Sequence, residues 1–197
     1  MRSTSNIDPE VADGRLFVVS APSGAGKTTL CHAARRQLPQ LVYSTSSTTR
    51  PPRDGERDGL DYFFVSESRF KQGIDNGEWA EWARVHDNYY GTSADFIQRH
   101  LDAGRDVLLD IDVQGAAQLL ERYPDAVTIF IMAPSLDDLH RRLIARGQDS
   151  DAVIETRMRN AEAEIAGRHM YRHVVVNDVL ETAIAQFVAI LKGRGRV

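Results

Sequence analysis

The chain has 197 residues, of which 42% are hydrophobic and 26% are charged, and its formal net charge is −4. This length and composition are typical of one soluble globular domain with room for inserted subdomains. The acidic balance argues against a general nucleic-acid-binding surface. No apolar run approaches the roughly 20 residues that span a bilayer. Residues 1–13 are polar, lack the apolar centre of a signal peptide, and are predicted to be a disordered tail.

The cysteine and histidine residues indicate the redox compartment and whether a zinc site is expected. The single cysteine, Cys31, cannot form an internal disulfide and is predicted to be a small buried residue on a helix. Together with the missing signal peptide, this favours a reducing cytoplasm. The six histidines form no Cys/His pattern with the spacing of a zinc site, so no protein-bound zinc is predicted.

The first functional signal is the stretch APSGAGKTT at residues 21–29, which lies between an apolar run and a helix-like segment. Small residues let backbone N–H groups turn toward phosphate oxygens, and the following helix points its positive end at them. This is the setting of a P-loop, in which Lys27 reaches the β- and γ-phosphates of a nucleoside triphosphate and the Thr28 hydroxyl binds Mg²⁺. The pattern usually begins with glycine, so Ala21 is predicted to have an ordinary extended backbone. The predicted phosphate-binding residues are Ala21, Pro22, Ser23, Gly24, Ala25, Gly26, Lys27, Thr28 and Thr29.

Apolar runs and amphipathic segments alternate along most of the chain. Strands are predicted at 16–20, 107–110, 127–132 and 174–176, and helices at 29–38, 93–103, 115–123, 135–146, 152–170 and 180–191. This alternation indicates a parallel sheet covered on both faces, with ligands beyond the carboxyl ends of the strands. Since Ser20 and Asp110 end two of these runs, the P-loop and the segment 110–112 are predicted at one edge.

Two stretches interrupt the alternation. Residues 43–92 are rich in Ser, Thr, Pro, Arg and short aromatic runs, which predicts a small, mostly antiparallel insert. Residues 141–165 are polar and rich in arginine, as expected of a mobile helical lid. The predicted fold is an α/β P-loop three-layer sandwich. Its core comprises 14–42, 93–140 and 166–197, and 14–197 forms one domain with the insert and the lid.

A second constellation lies in the insert, where Arg50 and Arg53 stand among prolines and hydroxyl side chains. Guanidinium forks match phosphate oxygens bidentately, and proline lowers the cost of ordering the loop. Taken alone, this stretch is also compatible with a solvated turn.

Six segments in order resemble the guanylate kinases of the nucleoside-monophosphate kinase group. They are APSGAGK at 21–27, SSTTRPPR at 46–53, DYFF at 61–64, NYYG at 88–91, LDIDVQG at 109–115 and VVND at 175–178. The resemblance runs from about residue 15 to residue 192, and several motifs in register are far more specific than a lone P-loop.

The resemblance implies Mg²⁺-assisted transfer of a phosphoryl group from ATP to GMP, and by extension to dGMP, in purine nucleotide metabolism and GMP recycling. It implies GMP/GDP and ATP/ADP as partners, neither nucleic acid nor membrane, and a monomer or small homo-oligomer. Carried over by position, the catalytic residues are Lys27, Arg50, Arg142, Arg146 and Arg157, the last three from the lid. Asn177 is implied near the ATP adenine.

The resemblance also implies the acceptor site. By this resemblance, the GMP phosphate is bound by Ser46, Arg50, Arg53, Tyr62 and Tyr90. The guanine is bound by Glu81, Asp110 and Thr92, with Ser46 or Thr92 near O6. Glu56 and Gly91 complete the predicted GMP-binding set. The chemistry of the base agrees, because guanine offers two donors and the O6 acceptor, which suit two carboxylates and a hydroxyl. Adenine would place an acceptor against a carboxylate, a costly mismatch.

Two alternatives remain open on the sequence. One is a non-catalytic module of the same fold that binds phosphopeptides. The intact Lys27 and Thr28 argue against it. The other is a kinase for a different phosphorylated acceptor, and the pairing of Glu81 with Asp110 argues against that.

Overall fold

The computed structural model describes residues 13–85, 87–147 and 149–193. The predicted tail therefore lies, except for residue 13, outside the described residues. The strands are β1 (Leu16–Ser20), β2 (Val42–Tyr43), β3 (Ser47–Thr48), β4 (Phe63–Phe64), β5 (Trp79–Val85), β6 (Asn88–Ser93), β7 (Val107–Asp110), β8 (Val127–Met132) and β9 (His173–Val176). The helices are α1 (Lys27–Gln37), α2 (Glu67–Asp75), α3 (Ala94–Asp102), α4 (Val113–Arg122), α5 (Leu136–Ala145), α6 (Asp151–Ala166) and α7 (Leu180–Leu191). A 3₁₀ turn, Gly167–Met170, follows α6.

The main sheet has five strands in the order β2-β7-β1-β8-β9, and every neighbouring pair is parallel. Its three central strands, β7, β1 and β8, are buried on both faces. In β1, Phe17 and Val19 pack into one apolar cluster with residues of α1 and α7, and Leu16 and Val18 into a second with residues of α3 and α4. The period-2 alternation of side chains divides each strand between the two layers. The predicted α/β sandwich is confirmed.

A second, four-stranded sheet in the order β4-β3-β6-β5 occupies the predicted insert. Two of its three pairings are antiparallel, which confirms the mostly antiparallel prediction. An aromatic stack stabilises it, since the ring of Phe70 on α2 lies 4.4 Å from Trp79 and 5.3 Å from Tyr89.

The arginine-rich segment comprises the end of α5, a short loop and α6. Ser135 caps α5 by accepting a hydrogen bond from the Asp138 N–H at 3.0 Å, and Leu139 and Leu143 of this helix are buried. The predicted lid boundary at residue 141 thus falls inside a helix that packs on the core. The division into core, insert and lid stays a prediction.

Short elements and helix ends differ most from the sequence prediction. Strand β2 has only two residues and crosses the predicted core–insert boundary at 42/43, yet Tyr43 pairs with Leu108 in the main sheet. The helix predicted at 152–170 ends at Ala166. Over the described residues, no helix has the length and apolarity needed to cross a membrane.

The fully buried Phe130 of β8 provides a test of this core. We expect Phe130→Ala to lower the free energy of unfolding by about 3–5 kcal/mol, because it leaves a cavity between the sheet and its helices. The control is Phe63→Ala, since Phe63 is 44% exposed. It should cost about 1 kcal/mol or less. Urea unfolding curves measure both, and equal losses would contradict this description of the core.

Candidate active site

The phosphate loop joins β1 to α1 at the carboxyl edge of the main sheet. Gly24 and Gly26 have φ angles of +91° and +97°, a backbone conformation that is strained for any residue with a side chain. The Ala25 N–H donates to the Pro22 carbonyl at 3.0 Å and closes the loop. Helix α1 begins at Lys27, and its first turn carries no acidic residue. The positive end of α1 is therefore free to face an anion.

Asn177 supports this loop from behind. Its side-chain N–H donates to the Ala25 carbonyl at 2.8 Å, and it is buried. A Cβ on Gly26 would collide with the Asn177 amide nitrogen, so glycine is required there on two grounds. These contacts hold the loop in shape. The implied contact of Asn177 with an adenine stays a prediction.

The Lys27 ammonium group ion-pairs with Asp110 at the end of the adjacent strand β7. It also lies 3.5 Å from the Ile111 carbonyl. Burial lowers the pKa of Lys27, but the charge and hydrogen bond of Asp110, with contributions from Cys31 and Tyr62, leave that pKa raised overall, so the group stays charged. The second Asp110 oxygen accepts a hydrogen bond from the Tyr43 hydroxyl at 3.2 Å.

Arg50 and Glu56 form an ion pair within the insert loop. One guanidinium nitrogen donates to both Glu56 oxygens, at 2.8 and 2.9 Å, and the Arg53 N–H donates to the same carboxylate at 2.8 Å. These contacts lower the pKa of Glu56, with the Arg50 hydrogen bond as the main cause. The Arg50 guanidinium lies 5.5 Å from the Tyr62 ring, which is 6.0 Å from Tyr90. We call Arg50, Arg53, Tyr62 and Tyr90 the arginine cradle; its binding of an anion stays a prediction.

Glu81 on β5 is a buried carboxylate, only 6% exposed. The Thr92 hydroxyl on β6 donates to it at 2.6 Å. A Cβ on Gly115 would lie 2.5 Å from one Glu81 oxygen and 3.4 Å from an Asp112 oxygen. Glycine at 115 therefore makes room for two carboxylates side by side. Burial is the main cause that raises the pKa of Glu81 to about 7, and the Asp112 charge adds to it.

The three lid arginines have different surroundings. Arg157 on α6 donates to the Ser23 hydroxyl of the phosphate loop at 2.6 Å and to Asp149 at 3.1 Å. Arg142 on α5 donates to the Asn177 carbonyl at 2.8 Å. Arg146, at the end of α5, is exposed and lines the cleft. Arg157 thus contacts the phosphate loop directly, and Arg142 contacts Asn177, which supports that loop.

One cleft of about 930 Å³ joins these groups. The predicted site residues that line it are Ala21, Pro22, Ser23, Gly24, Gly26, Lys27, Thr28, Thr29, Ser46, Arg50, Arg53, Glu56, Tyr62, Glu81, Tyr90, Asp110, Arg142, Arg146 and Asn177. Of the other predicted residues, Ala25, Gly91 and Thr92 are buried, and Arg157 does not line the cleft but contacts Ser23 at its edge. The structure thus brings nearly all the predicted residues together.

The cleft is also lined by residues to which the sequence had assigned no role, among them Tyr43, Asp112 and Glu164. Asp112 had a detectable signal, because an Asp three residues before Gly115 suits a helix N-cap, and it accepts from the Gly115 N–H at 2.7 Å. Glu164 follows Arg157 by seven residues, so both share one face of α6. Burial raises the pKa of Glu164, and the Lys27 charge opposes that shift. Tyr43 gave no signal, since only tertiary pairing brings it to Asp110.

Comparison with known proteins agrees with this geometry. Residues 13–194 match the family "Guanylate kinase". The chain belongs to the guanylate kinase family. The chain is 49% identical to the guanylate kinase of Geobacter sulfurreducens, over 91% of this chain and 88% of that one. It is 42% identical to that of Thermotoga maritima, over 91% and 86%.

A solved structure leads to the same family. The crystal structure of guanylate kinase from Anaplasma phagocytophilum superposes with a TM-score of 0.75 at 33% identity, covering 94% of this chain and 88% of that one. Agreement in both sequence and fold over nearly the whole length means that the family assignment applies to the core and to the second sheet alike. It confirms the resemblance based on the six motifs.

The donor set of the cleft fits the Mg²⁺ ion that accompanies ATP in phosphoryl transfer. Mg²⁺ commonly takes one or two protein oxygens, with phosphate and water oxygens completing its octahedron. The Thr28 hydroxyl is exposed in the cleft at the first turn of α1, and the Asp110 and Asp112 carboxylates stand at the same sheet edge. Thr28 is therefore a suitable single protein ligand, as predicted.

The raised pKa of Glu81 predicts a pH dependence of stability. The folded protein holds the Glu81 proton more tightly than the unfolded chain, whose pKa is near 4.5. The stabilising contribution is thus full below about pH 4.5 and is lost as the pH rises through about 7. We expect the wild type to lose up to about 3 kcal/mol more than Glu81→Gln between about pH 5 and pH 8, because glutamine does not titrate.

Urea unfolding at both pH values measures this difference. Glu121→Gln, at an exposed position on α4, is the matched control and should follow the wild type. The same pH response in Glu81→Gln as in the wild type would contradict the burial of an ionisable group at this position.

Proposed function

We propose that this member of the guanylate kinase family transfers the terminal phosphoryl group of ATP to GMP, giving ADP and GDP. The observation that carries the proposal is the composition of one cleft. A phosphate loop with its lysine forms one end, and the other holds an arginine cradle beside the buried Glu81 and the half-buried Asp112. We extend the proposal to dGMP as an acceptor, to Mg²⁺ as the metal, and to a cytoplasmic setting, which the lone buried Cys31 supports.

On the donor side, the loop 21–29 holds the ATP phosphates through its backbone N–H groups and the positive end of α1. Lys27 supplies the fixed positive charge at the β- and γ-phosphates. Bound at Thr28, Mg²⁺ would supply charge neutralisation at these phosphates. Arg157 already touches Ser23, so a small movement of α6 brings its guanidinium over the loop.

On the acceptor side, Arg50 and Arg53 bind the GMP phosphate, with Tyr62 and Tyr90 beside them. The Arg50 guanidinium group donates to both oxygens of Glu56, and these bonds fix the orientation of the guanidinium plane. A guanidinium group with five N–H donors can keep one bidentate partner and still present donors to a phosphate. Preorganisation of this kind lowers the entropic cost of binding.

For the base, the contacts favour Asp112 over Asp110 as the second carboxylate. Asp110 has one oxygen on Lys27 and the other on the Tyr43 hydroxyl. Asp112 uses one oxygen to cap α4 and stands beside Glu81 across Gly115. We therefore propose that Glu81, Thr92 and Asp112 read guanine, and that Asp110 serves Lys27. Guanine donors satisfy the two carboxylates, whereas adenine leaves one carboxylate opposite an acceptor.

Catalysis then follows from placement and charge. Phosphoryl transfer passes through a loose transition state, so the chain needs no dedicated acid or base. Lys27 and the lid arginines stabilise the charge on the transferring group. Closing α5 and α6 over the cleft excludes water, which would otherwise accept the phosphoryl group.

Both alternatives fit these contacts less well. A phosphopeptide-binding module needs the arginine cradle but has no use for a charged lysine held by a phosphate loop. A kinase for a different acceptor has no use for the buried Glu81 beside Asp112, because burial of a carboxylate is costly unless a ligand provides donors.

Steady-state rates with GMP, dGMP, AMP, UMP and CMP at saturating ATP and Mg²⁺ test the proposed acceptor. We expect GMP and dGMP to exceed the other acceptors in kcat/KM by at least about 100-fold, the discrimination typical of a site that hydrogen-bonds its substrate. Comparable rates with AMP or a pyrimidine nucleotide would overturn the proposal.

The division of labour between the two aspartates gives a second prediction. Asp112→Asn keeps an oxygen for the Gly115 N–H but turns an NH₂ group toward the guanine donors. We expect the GMP/AMP ratio of kcat/KM to narrow by about 2 kcal/mol, or roughly 30-fold. Asp110→Asn is the matched control, and it should lower kcat while leaving that ratio unchanged, because it acts on Lys27.

The two variants separate the assignments sharply. If Asp110→Asn narrowed the ratio and Asp112→Asn left it intact, the base-reading role would belong to Asp110, as first predicted from the sequence. Calorimetry with GMP in the absence of ATP checks the same point at the level of binding.

A further inference from the structure

Tyr43 stands at the junction of the two sheets. It ends β2, the edge strand of the main sheet, and pairs with Leu108 of β7. Four residues later, at Ser47, the chain enters β3 of the second sheet. The next residue, Ser44, donates its N–H to the Leu108 carbonyl at 3.0 Å. The backbone at Tyr43 is therefore fixed against the strand that ends in Asp110.

The side chain of Tyr43 is also fixed at its ring. The Arg35 guanidinium of α1 lies 4.6 Å from the ring centroid, within the range of a cation–π contact. The ring packs against the apolar cluster beneath α1 and lines the cleft. Burial raises the pKa of Tyr43, and the Asp110 charge raises it further, so the phenol stays protonated and can only donate to the carboxylate.

The Asp110 carboxylate is shared between two donors. One oxygen pairs with the Lys27 ammonium group, and the other accepts from the Tyr43 hydroxyl at 3.2 Å. A carboxylate held at one oxygen can still turn about its terminal bond, which is a soft torsion. A donor on each oxygen fixes the plane of the group and thereby the direction from which it holds Lys27.

We propose that Tyr43 is a positioning residue for phosphoryl transfer, whose hydroxyl orients Asp110 and so keeps the Lys27 ammonium group aimed into the cleft. This inference rests on the proposed role of Lys27 at the ATP phosphates. It links the strand that leads into the acceptor-binding sheet to the lysine on the donor side through two polar contacts.

Tyr43→Phe tests the inference, because it removes one oxygen and leaves the ring, its packing and the Arg35 contact in place. We expect kcat to fall about 10-fold, the effect of losing a hydrogen bond to a charged group, with the KM for GMP unchanged. Tyr123→Phe is the matched control, since the Tyr123 hydroxyl is buried, lies outside the cleft and makes no hydrogen bond within the described part of the chain. It should leave kcat unchanged.

A double-mutant cycle shows whether Tyr43 acts through Asp110. In the Asp110→Asn background, Tyr43→Phe should lower kcat by less than about twofold, because the carboxylate it orients is gone. A full second loss in that background would overturn the inference, and so would wild-type kcat in the single variant.

The rate at which Lys27 is chemically labelled provides a measurement that depends on neither turnover nor stability. The chain has three lysines, Lys27, Lys71 and Lys192, and the last two are exposed. Labelling the free, folded protein with an amine-reactive ester and counting modified peptides gives the Lys27 rate relative to the other two. We expect this relative rate to rise in Tyr43→Phe and stay at the wild-type value in Tyr123→Phe. An unchanged Lys27 rate in Tyr43→Phe would overturn the inference.

Lys27→Ala distinguishes a failure of the proposed role of Lys27 from a failure of the positioning role of Tyr43. Retained turnover in Lys27→Ala would overturn the proposed role of Lys27 itself. Lost turnover in Lys27→Ala together with a silent Tyr43→Phe would overturn only the positioning role of Tyr43.

Discussion

The Lys27 ammonium group ion-pairs with Asp110 where two parallel strands end side by side, and the rest of the cleft is arranged around this contact. The register that aligns Val19 with Asp110 brings the end of β7 beneath the phosphate loop. The loop's glycines then let α1 start at Lys27 with its positive end outward. A half-buried lysine needs a counter-charge, and Asp110 provides it. The donor site is therefore a product of strand order as much as of the loop.

Asp110 and Asp112 are only two residues apart in the chain, but their carboxylates have different partners because β7 ends and α4 starts at this point. Asp110 still belongs to β7, whereas Asp112 caps α4. One residue of turn between them directs one carboxylate to Lys27 and the other to Glu81. Gly115 in the first turn of α4 completes the arrangement, because any side chain there would displace the Glu81 carboxylate. One loop thus serves the Lys27 ion pair and, in the proposed reading of guanine, the base as well.

The second sheet is attached to the core by side-chain contacts as well as by its covalent connections. Gln118 on α4 accepts from the Trp82 N–H at 3.2 Å and donates to the Trp82 carbonyl at 3.0 Å, much as a neighbouring strand would. Since Trp82 follows Glu81, this pair of bonds holds the buried carboxylate at a set distance from α4. The segment predicted as a lid is tied to the core by two side-chain bonds as well, from Arg142 to the Asn177 carbonyl and from Arg157 to the Ser23 hydroxyl. Movement of this segment stays a prediction.

The sequence by itself determined the sandwich fold, the phosphate loop, the arginine cradle and the family, because each rests on local spacing: period-2 and period-3.6 apolar patterns, small residues before Lys27, and motifs in register. Tertiary structure alone decided which carboxylate meets which partner. The two-residue strand β2 has no periodicity to detect, so the approach of Tyr43 to Asp110 was invisible in the chain. Likewise, Glu81 and Asp112 are 31 positions apart and become neighbours only because Gly115 leaves room between β5 and α4. Local patterns specify elements, whereas the charge pairs of a site depend on how those elements pack.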